Sequence, residues 1–183
     1  MKLSSFPRSP KMIKPTTRVN SYAHISSAAT CININSMQCL VVGKDAKDVS
    51  REKALEYVAA YTVGNDISSR KLQRDPAYAG RIPQWGFSKG FDTFAPLGPC
   101  LVAAAEIPDP AKLRLKTIVD GEVRQDESVS DLLFDCSYII SYLSQGTTLQ
   151  KGSVIMTGTP GGKQYLKQRM GRPLTTNQVL VQD

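Results

Sequence analysis

Between residues 113 and 124 apolar and polar side chains alternate: Leu113, Leu115, Thr117 and Val119 share one parity, with more polar neighbours between them. Asp120-Gly121 interrupts the run and Val123 resumes it. A period of two puts one set of side chains on one face of a strand, and Asp-Gly suits the two-residue type I′ turn of a tight hairpin. A hairpin needs further strands to cover its apolar face. Short apolar runs at 38–43, 59–63 and 154–156 read as such strands, the first of them buried and ended by Gly43.

Helical spacing appears twice. Ala54, Leu55 and Val58 give one apolar stripe after Ser50 or Asp48, either of which offers an oxygen to the free N–H groups, and Glu52 suits the positive helix end. Leu132, Leu133, Cys136, Ile139, Ile140 and Leu143 recur at steps of three and four, which predicts a helix from about 130 to 144, closed by Gly146. The polar stretch 68–83 reads as one long loop, and loops of that length in a compact domain are usually functional. Trp85, Phe91 and Phe94 read as core. Strands, a hairpin and two helices without a βαβ repeat predict an α+β fold that is mainly β.

At 183 residues, with 41% hydrophobic and 21% charged residues, the chain suits a globular domain with a sizeable core. It has no run of eighteen apolar residues, so no membrane-spanning helix is expected. The net charge of +7 invites a nucleic-acid reading, but its distribution argues against one. Residues 1–44 hold six Lys or Arg and no acid, and 163–183 hold four basic residues and Asp183. Residues 45–162 carry 13 basic and 15 acidic groups, so the body of the chain has no basic excess to offer phosphates. Cys31, Cys39, Cys100 and Cys136 lack C-x-x-C spacing and read as reduced, mostly buried thiols.

The organisation expected from this is an atypical basic leader at 1–36, a core at 37–162 and an atypical tail at 163–183. The leader is rich in Ser and free of acids, which fits either a transit peptide or a poorly ordered segment, so cytoplasm and mitochondrion both stay open.

Four segments carry polar groups beside Gly or Pro: residues 61–70 with Gly64-Asn65-Asp66 and Arg70; Gln84 and Trp85 followed by Lys89-Gly90; 96–99 with Pro96 and Pro99; and Thr157-Gly158-Thr159-Pro160. With the hairpin segment 120–125, their order and spacing resemble the catalytic domain of the fumarylacetoacetate hydrolase family over about two-thirds of the chain. The resemblance implies a mixed β-sandwich roll with a few short helices. It also implies a divalent cation, Mg2+ or Mn2+, at the mouth of the sheet, and a small 2-oxo acid or β-diketone as substrate. Such enzymes act as C–C hydrolases, lyases or tautomerases, for instance on acylpyruvates or oxaloacetate, and commonly pair as homodimers. Breaking the C–C bond leaves a carbanion, which a metal holds as an enolate. By the same resemblance Asp66 is the metal ligand and Lys89 the catalytic cation beside it. Arg70, Gln73 and Thr159 reach the substrate's carboxylate or carbonyl oxygens. Without the resemblance, Asp66 reads as a turn cap and Thr159 as part of a turn shaped by Gly and Pro.

The chain departs from the family at three places. A Glu-x-Glu metal pair belongs just before the strand at 38–43, and Asn35 and Met37 fall in its slots. The single His, His24, is too near that strand to serve as the lid histidine. Residues 163–183 do not resemble the family's closing strands. A truncated or alternatively spliced product would give this pattern. So would a misread gene boundary, or a catalytically silent member that acts as a binding module.

Overall fold

A computed structural model of the chain describes residues 35–92, 94–119 and 122–161, with short strand segments at 16–17, 32–33, 165–166 and 177–182. The expected leader and tail lie largely outside the described residues, as do Cys31 and the Asp120-Gly121 turn. The architecture is α+β and mainly β, with every described strand pairing antiparallel.

The apolar run that begins the core becomes β3 (Ser36–Val42), after two short strands β1 (Thr16–Thr17) and β2 (Ile32–Asn33). β3 is central in a four-stranded sheet of order β6-β4-β3-β9, flanked by β4 (Val58–Asn65) and β9 (Val154–Met156), with β6 (Leu97–Ala103) at the edge beyond β4. Leu40 lies opposite Tyr61 on β4 and Ile155 on β9. A strand enclosed on both faces needs no polar alternation, which is why β3 reads as a continuous buried run rather than an alternating one.

The hairpin forms as expected from β7 (Arg114–Val119) and β8 (Glu122–Ser128), with a register shift between Thr117 and Ile118. Leu113, Leu115 and Thr117 are buried, which confirms the reading of their parity. β7 also pairs along its length with β11 (Asn177–Gln182), and β1 pairs with β11 in turn. A third, three-stranded sheet orders β10 (Tyr165–Leu166), β2 and β5 (Ser68–Ser69).

Three expectations need correction. The segment after Ser50 is a 3-10 helix (Arg51–Tyr57), and Ser50 makes no side-chain cap. Asp48 instead takes a positive φ of 49° and accepts from the Gly146 N–H at 2.8 Å. The presumed loop at 68–83 contains β5 and two short helices, α1 (Arg70–Arg74) and α2 (Pro76–Ala79). Helices of one turn are too short to leave a periodic signal. Finally, the helix expected from 130 begins later, as α3 (Cys136–Leu143), preceded by a 3-10 turn (Val129–Asp131). Asp135 explains the late start: its side chain accepts from the Tyr138 N–H at 2.7 Å, so it is the cap, and Leu133 is left 87% exposed outside the helix.

α3 and the 3-10 segment cover one face of the β3 sheet. Leu40, Val42, Ala54, Val58, Tyr61, Cys136, Ile140 and Ile155 form its core. Cys39 and Cys136 are buried free thiols and Cys100 is an exposed one, in line with the reading of reduced, mostly buried cysteines. Burial pushes the Cys39 thiol up to about 12 and Cys136 to about 11, so both stay neutral.

The capping of α3 carries a pH signature. The Tyr138 N–H, and after it the Arg51 guanidinium, hold the Asp135 carboxyl below its ordinary range. A carboxyl lowered on folding stabilises fully above its unfolded pKa, about 4, and that stabilisation is lost as pH falls through the folded value. Asp135→Ala should therefore cost about 1 kcal/mol at neutral pH. Its melting temperature should converge on that of the parent as pH drops below about 4. A difference that stays constant with pH would contradict the assignment.

Candidate active site at the ends of β3 and β4

β3 and β4 begin and end together: Ser36 lies opposite Asn65, and the Asp66 N–H donates to the Asn35 carbonyl at 2.9 Å. Asp66 thus leaves the sheet beside Asn35. On the other side of β3, Thr157 donates through its hydroxyl to the Gln38 carbonyl at 2.9 Å, and Thr159 to the Ser36 carbonyl at 2.7 Å. Three chain segments therefore lie side by side at one end of the sheet. Gly64, the residue opposite Met37, is required by close packing: a Cβ there would come within 2.5 Å of Cys39 Sγ.

A tight turn delivers Lys89 to this place. Ser88, fully buried, accepts through its carbonyl from the Ser69 N–H at 2.9 Å, and its hydroxyl donates to the Trp85 carbonyl at 2.8 Å. The Gln84 N–H donates to the Gln73 carbonyl at 3.0 Å, which ties the same turn to α1. Phe94 is buried and packs on Phe91 with ring centroids 5.4 Å apart. Trp85, expected in the core, is instead 55% exposed, because the turn needs only its backbone carbonyl.

Lys89 Nζ forms an ion pair with Asp66 Oδ2, with the two side chains 30% and 23% exposed. The backbone bond between Ser69 and Ser88 places Arg70 and Lys89 at the next positions on adjoining segments. Arg70 donates to Gln73 Oε1, and Gln73 is wholly buried with Nε2 unpartnered. The structure thus gathers Asp66, Lys89, Arg70 and Gln73 on connected segments. Thr159 sits across β3, its proton already committed to Ser36 and its oxygen accepting from Gln125 Nε2 at 2.7 Å.

Gln125 is a residue the sequence did not single out. It is buried, accepts from the Thr117 hydroxyl at 2.9 Å, and donates to Thr159 and to the Pro160 carbonyl, at 2.8 Å for the latter. It fastens the 157–160 turn to the hairpin. Its place in the sequence carried no signal, since Val123 and Glu127 on the same parity of β8 are exposed.

The donor set for a divalent cation is thin. Asn35 and Met37 stand opposite Asp66 and Gly64, where Asn brings a neutral oxygen and Met a soft thioether. Among the described residues no three His, Cys, Asp or Glu side chains are grouped to hold a metal ion. Mg2+ takes hard oxygens, chiefly carboxylates and water, and the one carboxylate here is already paired with Lys89. These residues do not fit a divalent ion.

The described residues thus form an antiparallel β domain with a carboxylate–lysine pair at its strand ends. The family model for the fumarylacetoacetate hydrolase C-terminal domain matches residues 16–183, and the chain belongs to that family. A Dictyostelium discoideum relative named fumarylacetoacetate hydrolase domain-containing protein 2 homolog is 40% identical over 137 residues, covering 70% of this chain and 44% of the relative. Fumarylpyruvate hydrolase from Pseudomonas aeruginosa, solved with Mn2+ and pyruvate, is similar at 34% identity and a TM-score of 0.67, over 74% of this chain and 57% of that one. The 2-hydroxyhepta-2,4-diene-1,7-dioate isomerase of Mycobacterium marinum is similar at 36% identity and a TM-score of 0.65, over 74% of this chain and 50% of the other. The chain spans less than half the length of the curated relatives it matches.

Proposed function

We propose that this chain binds small 2-oxo acids or β-diketones at the Asp66–Lys89 pair and acts on them as a C–C hydrolase or lyase, with acylpyruvates and oxaloacetate as the substrate class. The observation that carries this reading is the ion pair itself, set at the strand ends with Arg70 on the adjoining segment. Cleaving an acylpyruvate or decarboxylating oxaloacetate leaves the same species, the enolate of pyruvate. A fixed ammonium such as Lys89 offsets the charge that develops on its oxygen. Arg70 suits the substrate carboxylate through its planar fork, and Gln73 Nε2 is a buried donor in want of an acceptor. Thr159 shapes the opposite wall. The divalent ion that the resemblance assigns to Asp66 enters no step, since the described residues do not make its ligand set.

A second reading is a catalytically silent family member that keeps the binding site. It is favoured by the pairing of Asp66 with Lys89, which leaves no free carboxylate at the site's centre. Turnover assays separate the two. An active chain should cleave acylpyruvates or decarboxylate oxaloacetate, and Lys89→Met should lower kcat by about a hundredfold. A folded protein that binds pyruvate and turns over neither substrate is the silent member. The homodimer implied by the resemblance belongs to the same proposal, with exposed Leu97 and Leu101 on edge strand β6 available to a second copy. Among the described residues no helix is long and apolar enough to cross a membrane.

A further inference from the structure

We infer that this chain holds its oxo-acid ligand without a divalent cation, the Lys89 ammonium on the Asp66 carboxylate standing where the family places the ion. The inference rests on the oxo-acid reading above. It departs from the family expectation because of this chain's own residues.

The register of β3 and β4 fixes what faces Asp66. Asn35 is its direct neighbour and Met37 follows opposite Gly64, so the two strand positions nearest the carboxylate bring no charge. A divalent ion entering here would have to displace Lys89 from Asp66. It would then sit beside a released ammonium, with Arg70 on the adjoining segment, and like charges in a half-buried place repel. Two buried oxygens beside Asp66, Asn65 Oδ1 and Ser36 Oγ, have no hydrogen-bond partner, but both are neutral, and the side chains on the Lys89 turn and α1 are donors. Gln73 has given its oxygen to Arg70 and keeps a buried, unpartnered NH2, which can donate but cannot ligate a cation. Lys89, Arg70 and Gln73 Nε2 are all donors. A donor-rich site suits an anion with several acceptor oxygens, such as a 2-oxo carboxylate, and opposes a hard cation.

The test is a calorimetric titration of pyruvate into the full chain, once in EDTA and once in excess Mg2+. The expected result is saturable binding in both, with dissociation constants within about twofold of each other. In EDTA, Lys89→Met should weaken binding by at least about tenfold, since it removes a charged hydrogen bond to the ligand. Binding that appears only with Mg2+ overturns the inference while leaving the oxo-acid reading standing. Absence of binding by a folded protein under both conditions overturns both. The comparison of EDTA with Mg2+ uses the unaltered protein, so the test does not depend on the variant folding.

Discussion

Leu40→Ala should lower the unfolding free energy by about 2–5 kcal/mol, the range for a buried leucine truncated in a core that cannot collapse around the void. Leu40 has no solvent exposure and lies on the central strand of its sheet, with Tyr61 and Ile155 opposite it. Cys136 and Ile140, on α3, belong to the same core. The surrounding backbone is pinned on both sides of β3, so little relaxation is available to refill the space. Against a total stability of about 5–15 kcal/mol this is a large share. Denaturant unfolding should show a lowered midpoint with an unchanged slope. A loss below about 1 kcal/mol would mean that β3 is not enclosed on both faces.

Gln125→Leu should cost about 2–4 kcal/mol although it keeps the side chain's bulk. The replacement removes the acceptor of the Thr117 hydroxyl and the donor to Thr159 and Pro160, three groups that are otherwise left short of partners in a buried place. The penalty for an orphaned buried polar group exceeds the net gain of the bond it made. The variant should also loosen the 157–160 turn, so pyruvate affinity should fall along with stability. A variant as stable as the parent would show that water replaces the amide at no cost.

Much of the sheet was legible because period-two alternation and uninterrupted apolar runs are strong local signals. Residues 113–119 and 154–156 announce their strands without help from tertiary structure. The helices were harder. Leu132 and Leu133 fit a helical spacing by chance, and only the geometry of Asp135 shows that the helix starts after them. The one-turn helices at 70–74 and 76–79 are set by Ser69 and Asp75 capping their first N–H groups, a signal too short to outweigh the Arg, Pro and Gly around it.

The site was legible in a different way. Residue chemistry alone made Asp66 a turn cap and Thr159 part of a turn; the ordered set of Gly- and Pro-flanked segments pointed to a shared site with Lys89. The ion pair bridges residues far apart in sequence, and the turn that positions Lys89 is held by backbone bonds to Ser69 and Gln73, which no spacing rule encodes. Gln125 escaped notice for the same reason: its partners Thr159 and Pro160 lie on another element. Trp85 was misplaced because an aromatic side chain suggests burial, whereas here only its carbonyl is used.

The measurement that bears most directly on the central claim is amide NMR during a pyruvate titration. If the oxo acid binds at the strand ends, saturable shifts should concentrate at 65–73, 84–90 and 157–161, and the amides of α3 should stay still. Shifts absent from these segments, or gathered on α3, would contradict the placement of the site.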